Sequence, residues 1–214
     1  MIEPEFQIYE CSNPQCRFRC PNNLTERKME HCPLCGGELC PKGEQFTNQK
    51  RHADQNQSIS RHFGQFEVLL DNLRSTLNVG SIFRTADGVG INHIYCCGTT
   101  PTPEHAKIAK TSLGAEGFTH WAYAANAFEL VMQKKQAGSQ IISLEATETS
   151  QSLFDPFSFS TGNPLLLVIG NEISGVDPEI LQNSDNVFYI PMRGKKSSLN
   201  VAVAFGIAAY RLFN

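Results

Sequence analysis

The chain has no run of about 18 apolar residues, which excludes a membrane-spanning helix. Its first residues, MIEPEFQIYE, are acidic rather than basic-then-apolar, so no secretion signal is expected and a cytoplasmic location follows. Net charge is small, -3 over 214 residues, which argues against a protein that holds nucleic acid by bulk electrostatics. Neither a G-x-G-x-x-G nor a G-x4-G-K-[ST] loop is present, so the common nucleotide-binding loops are missing. Internal repeats and low-complexity tracts are absent too. What remains is a globular chain, 41% apolar, with room for one ordinary domain and a small appendage.

Six of the eight cysteines lie in the first 40 residues. Without a secretion signal, a metal site is the better reading than a disulfide framework. The sharpest feature is CPLCGG, Cys32 to Gly37, a C-x2-C knuckle followed by glycines. Paired with CSNPQC, it gives Cys11, Cys16, Cys32 and Cys35 as ligands of a tetrahedral structural zinc. Cys20 and Cys40 are surplus, and either could replace Cys11 or Cys16. So small a segment has few apolar residues, and metal must supply folding energy on the order of 10 kcal/mol. Residues 1–45 thus read as a zinc-ribbon-like domain and the polar stretch at 46–60 as a linker.

From residue 61 onward, short aliphatic runs alternate with helical patterns. Strands are predicted at 66–70, 91–97, 140–144, 164–170 and 186–190; helices near 78–88, 103–113, 126–137, 177–184 and 198–213. This alternation implies an α/β domain with a mostly parallel sheet covered on both faces. Ligands of such sheets sit beyond the carboxyl ends of the strands. That directs attention to VIGNEISGVDPE (168–179) and to IPMRGKKSSLNVAVA (190–204).

In the first loop, Asp177, Pro178 and Glu179 start a helix with an N-cap, a proline at N1 and an early acid. Glu172 reads equally as an exposed loop carboxylate or a site residue. In the second, Ser197 or Ser198 caps a helix, and its free N–H groups with Lys195 and Lys196 are suited to an anion. Between Val187 and Asn214 the chain carries four cations, Arg193, Lys195, Lys196 and Arg211, and no acid, so any RNA contact is local. Asn200 reads either as a partner for a buried backbone group or as a ligand residue. No charge occurs between Val201 and Tyr210, and a helix apolar all round implies a partner subunit. In NVGSIFRTADG (78–88), Asn78 is taken as the N-cap, while Val79, Ile82, Phe83 and Ala86 form one apolar stripe. Arg84 lies off that stripe and by itself reads as a solvated surface charge. Cys96 and Cys97 read as packed thiols, Lys107 and Lys110 as a solvated helix face, and His93, His105 and His120 share no metal-like spacing.

Together, NVGSIFRTADG, VIGNEISGVDPE and IPMRGKKSSLNVAVA, with KTSLGAE (110–116) between the first two, resemble the motifs of the SpoU/TrmH family of RNA ribose 2'-O-methyltransferases, within the SPOUT superfamily. The resemblance covers residues 61–214 and leaves the cysteine-rich head outside. It implies a C-terminal trefoil knot, S-adenosylmethionine as cofactor, structured RNA (tRNA or rRNA) as substrate, and a homodimer whose sites combine both subunits. By position it implies that Gly170, Ile190 and Leu199 contact the cofactor, with Met192 and Glu172 on the same loops. Asn78, Arg84, Glu172, Ser198 and Asn200 match active-site positions, and Arg193, Lys195 and Lys196 are the expected RNA contacts. Ala202 stands where the family pattern has serine, which leaves open a catalytically inactive RNA-binding member of the same fold.

Overall fold

The computed structural model describes residues 5–25, 29–47, 66–91, 93–158 and 162–213. The chain divides into two compact units, residues 1–60 and 61–214.

The first unit is a three-stranded antiparallel sheet of β1 (Glu5–Cys11), β2 (Arg19–Asn23) and β3 (Leu39–Thr47), with β1 in the middle. Its buried apolar content is Cys11, Cys32 and Leu39, with Tyr9, Cys16 and Phe18 packed against them. Two tight turns present the cysteines. One follows β1, where Asn13 O accepts from the N–H groups of Cys16 and Arg17; the other closes with Gly36 N–H on Cys32 O. The proposed linker begins inside β3, which runs through Phe46 and Thr47; its residues 48–60 lie outside the described residues.

The second unit is a seven-stranded sheet in which every pairing is parallel. Its strands are β4 (Phe66–Asp71), β5 (His93–Cys97), β6 (His120–Ala124), β7 (Gln140–Leu144), β8 (Gln151–Ser152), β9 (Leu165–Ile169) and β10 (Asn186–Tyr189), in the order β6-β5-β4-β9-β7-β10-β8. The helices are α1 (Thr76–Val89), α2 (Ala109–Ser112), α3 (Ala127–Gln136), α4 (Pro178–Asn183) and α5 (Val201–Phe213), with a 3₁₀ turn at Ala115–Gly117. Strand β9, LLLVI, is buried along its whole length, because both faces of the sheet are covered. Leu165, Leu167 and Ile169 face one layer with Phe83 of α1 and Phe205 of α5. Leu166 and Val168 face the other with Val131 of α3 and Ile180 of α4. Each such buried aliphatic side chain contributes about 1.5–3 kcal/mol.

Three boundaries differ from expectation. Helix α1 starts two residues early and its N-cap is Ser75, whose hydroxyl accepts from Asn78 N–H, so Asn78 is not the cap and its amide is free for other work. Helix α5 starts at Val201 rather than 198, and Asn200 caps it by accepting from the N–H groups of Ala202 (2.9 Å) and Val203 (3.4 Å); Ser197 and Ser198 stay in the loop. The helix expected at 103–113 is only Ala109–Ser112: residues 103–108 run as turns, and Leu113 turns left-handed (φ 51°) and ends it. Strands β6 and β8 were not predicted; they are the two edges of the sheet.

Candidate active site and metal centre

Strands β9, β7 and β10 are neighbours, and their carboxyl ends and the following loops, with Asn78 of α1, line a cleft of about 550 Å³. That volume lies in the range of about 300–1,000 Å³ common for small-molecule sites. The β9–α4 loop is braced from inside. Asn171 and Gly175 exchange backbone N–H···O bonds, and Asn171 Oδ1 accepts from Ile173 and Ser174 N–H. A Cβ at Gly170 would overlap the backbone of Gly175 and Val176, so only glycine permits this approach. Asp71, at the end of β4, accepts from Asp177 N–H (3.1 Å) and ties β4 to the start of α4.

The loop turns Glu172 back to the start of α1. Its carboxylate accepts from Arg74 N–H (2.9 Å), Ser75 N–H (3.1 Å) and Asn78 Nδ2 (3.0 Å). Partial desolvation of this otherwise exposed carboxylate works against ionisation, but the donors from Arg74, Asn78 and Ser75 outweigh it and hold the carboxyl below its ordinary pKa. Asn78 Oδ1 in turn accepts from Asn200 Nδ2 (3.0 Å), and Asn200 Oδ1 caps α5. This chain of bonds fixes the orientation of both amides: each oxygen faces donors, and each nitrogen faces an acceptor.

Of the sequence-derived candidates, Asn78, Gly170, Glu172, Ile190, Met192, Ser198, Leu199 and Asn200 all line this cleft. Arg84 does not. It lies six residues along α1 from Asn78, roughly 9 Å further and a third of a turn around the axis, and is exposed. Arg193, Lys195 and Lys196 are exposed on the β10–α5 loop, with no ion pair among the described residues. Sequence reasoning missed Glu145 and its neighbours Leu144 and Ala146, which line the cleft from the end of β7. The available signal was an acid one residue past a buried strand. Cys96 and Cys97 are buried, and burial pushes both thiols up to about 12, so they are packing residues.

In the first unit the sulfurs of Cys11, Cys16, Cys32 and Cys35 all lie within 4.8 Å of one another, with Cys11 to Cys35 at 3.4 Å and Cys16 to Cys32 at 3.7 Å. Four thiolates about 2.3 Å from one tetrahedral ion stand roughly 3.8 Å apart, so the set fits zinc. A Cβ at Gly37 would come within 3.1 Å of the Cys11 sulfur, so the knuckle glycine leaves room for the cluster. Gly37 N–H, followed by the neighbouring thiols, lowers Cys35 to about 7. Cys20 and Cys40 sit instead on β2 and β3, on either side of β1.

The SpoU rRNA Methylase family matches residues 65–210. A tRNA (guanosine(18)-2'-O)-methyltransferase of Aquifex aeolicus is 34% identical over 150 residues, 67% of this chain and 66% of the relative. Among solved structures, an AdoMet-bound rRNA methyltransferase from Sinorhizobium meliloti superposes with a TM-score of 0.64 at 29% identity, over 70% of this chain and 56% of that one. The Aquifex aeolicus TrmH/SpoU tRNA modifying enzyme gives 0.62 at 30% identity, over 71% and 75%. The chain therefore spans just under two thirds of the first relative and little more than half of the second. No helix among the described residues is long and apolar enough to cross a membrane. With a match that takes in more than half of its length, the chain belongs to the SpoU methylase family.

Proposed function

We propose that this protein transfers a methyl group from S-adenosylmethionine to a ribose 2'-hydroxyl of structured RNA, tRNA or rRNA, in the cytoplasm. The observation that carries this reading is the bonded chain Glu172–Asn78–Asn200 on the wall of the cleft, which joins residues from all three family motifs. The cleft suits the cofactor: it has apolar walls, two carboxylates, and no Lys, Arg or His among its described lining residues, so it favours a cationic ligand. Gly170, Ile190, Met192 and Leu199 are assigned to holding it, and the knot implied by the family belongs with this arrangement of loops. When bound, the cofactor supplies an electrophilic methyl group on a sulfonium.

The protein's part is positioning and electrostatics. Glu172 locks the start of α1, so that Asn78 and Asn200 present fixed polar groups on the wall of the cleft, which Ser198 also lines. The Arg84 guanidinium is assigned to gripping the phosphate and stabilising the developing alkoxide. Because Arg84 is exposed and does not line its own cleft, it is assigned to the site of a second copy in a homodimer. Exposed Leu77 on α1 and Val203 and Tyr210 on α5, two helices that pack together, form the apolar surface for that contact. Arg193, Lys195 and Lys196 hold RNA phosphates. Zinc on Cys11, Cys16, Cys32 and Cys35 is structural, within a ribbon domain over residues 1–45 joined by a linker over 46–60 to the methyltransferase domain.

Methyl transfer from isotopically labelled S-adenosylmethionine to total cellular RNA, followed by nucleoside digestion and mass spectrometry, tests the reading. Labelled 2'-O-methylnucleoside is the expected product, and its base and RNA fraction identify the target. Cofactor binding without transfer to any RNA would instead favour the inactive RNA-binding reading that Ala202 raises.

A further inference from the structure

Glu145 lies outside the motif segments, yet it lines the cleft from the carboxyl end of β7. Its carboxylate is fixed on both oxygens: Oε1 accepts from Ala146 N–H (2.9 Å) and Oε2 from Val176 N–H (3.1 Å). Gly175 makes the space for it, since a Cβ there would overlap the carboxylate. The backbone of two loops thus holds one acid in place at the carboxyl end of β7.

Each oxygen keeps a second lone pair. Among the described residues no cation pairs with Glu145, and the cleft's other carboxylate, Glu172, is committed to Arg74, Ser75 and Asn78. Glu145 is therefore an acceptor with spare capacity at a small-molecule cleft. Two fixed, adjacent oxygens match a donor of two adjacent hydroxyls, the vicinal diol of a ribose. An acid near a strand end takes ribose hydroxyls in other α/β nucleotide sites for the same reason. Position agrees: Glu172, at the front of the β9–α4 loop, turns toward the Asn78–Asn200 pair, whereas Gly175, at its back, abuts Glu145. The nucleoside end of a ligand then lies away from the reacting end.

We infer that Glu145 accepts the ribose hydroxyls of the adenosyl cofactor and is a specificity-determining residue for it. This rests on the proposed cofactor assignment. The test is calorimetric binding to the full-length protein of S-adenosylmethionine, 5'-methylthioadenosine, and the 2'-deoxy and 3'-deoxy forms of the latter, for the wild type and Glu145→Gln. Glutamine keeps the size and one acceptor, and a melting curve confirms the fold. Removal of one hydroxyl should weaken wild-type binding about tenfold to a hundredfold, the scale of a hydrogen bond to a charged group. In Glu145→Gln, methylthioadenosine should bind correspondingly worse and the deoxy penalty should largely vanish. Glu145→Asp, which keeps the charge but shortens the reach, repeats the test if the glutamine variant melts abnormally, and should show the same loss.

An undiminished deoxy penalty in these variants overturns the inference while leaving cofactor binding intact. So does weaker binding of S-adenosylmethionine with methylthioadenosine unaffected, which puts the carboxylate on the ammonium instead. A wild type that binds none of the ligands overturns the cofactor assignment itself, and the inference with it.

Discussion

Replacing Glu172 with glutamine should destabilise the second unit in a pH-dependent way. The carboxylate takes three N–H donors, two on Oε1 and one on Oε2. Glutamine offers one oxygen, so at least one of these donors must face an NH2 group. Hydrogen bonds to a charged group contribute about 1.5–3 kcal/mol and neutral ones about 0.5–1.5. Glu172 is solvent-exposed, which screens the charge, so the low end applies: a loss of about 1–2 kcal/mol. For a unit of this size that lowers the melting temperature by about 2–8 °C. The sign with pH follows from the depressed folded pKa of Glu172. Its stabilising effect is fully present above the unfolded glutamate value of about 4.3 and is lost as pH falls through the lower folded value. Thermal melts of wild type and Glu172→Gln between pH 3 and 8 should show a gap at pH 7 that closes in acid. A gap of constant size, or none at pH 7, would refute the role given to the carboxylate.

Four further outcomes are expected. Arg84→Ala should leave stability within about 0.5 kcal/mol, since the side chain is exposed and has no ion pair among the described residues, yet lower methyl transfer about a hundredfold or more in a single-turnover assay. Asn200→Ala removes the cap of α5 and the donor to Asn78, costing about 1 kcal/mol by denaturant titration and a larger share of activity. Gly170→Ala forces a Cβ into the backbone of Gly175 and Val176, so calorimetry should find cofactor binding lost. Cys32→Ser should abolish a zinc content of about one per chain, read by elemental mass spectrometry; a wild type free of metal would sink the ribbon proposal.

Much of the fold was legible because β9 is a continuous apolar run and β4, β7 and β10 each carry a short one, as strands of a covered parallel sheet do. The edge strands escaped for the converse reason: β6, HWAYA, is half exposed, and β8 has only two residues. Ser75 and Asn78 are equally good caps by type, and the choice between them was made by Glu172, which engages the N–H groups of Arg74 and Ser75 from a distant loop. The three motifs showed which residues to collect but not that Arg84 stands outside the cleft the others line, because that depends on where α1 is docked. Glu145 carried no motif, and its importance comes from Val176 and Gly175, which only the folded sheet brings to it.

Asn78 bonds to a residue 94 positions ahead and to another 122 ahead, so no shorter segment of the chain contains the centre. Contacts of such long range form after the chain has met its loop-closure entropy, which places them late in folding. A growing polypeptide therefore presents only part of this bonded centre. Competence arrives all at once, when the strand order is complete and Asn200 has seated the last helix, so ligand binding also reports that the fold is finished.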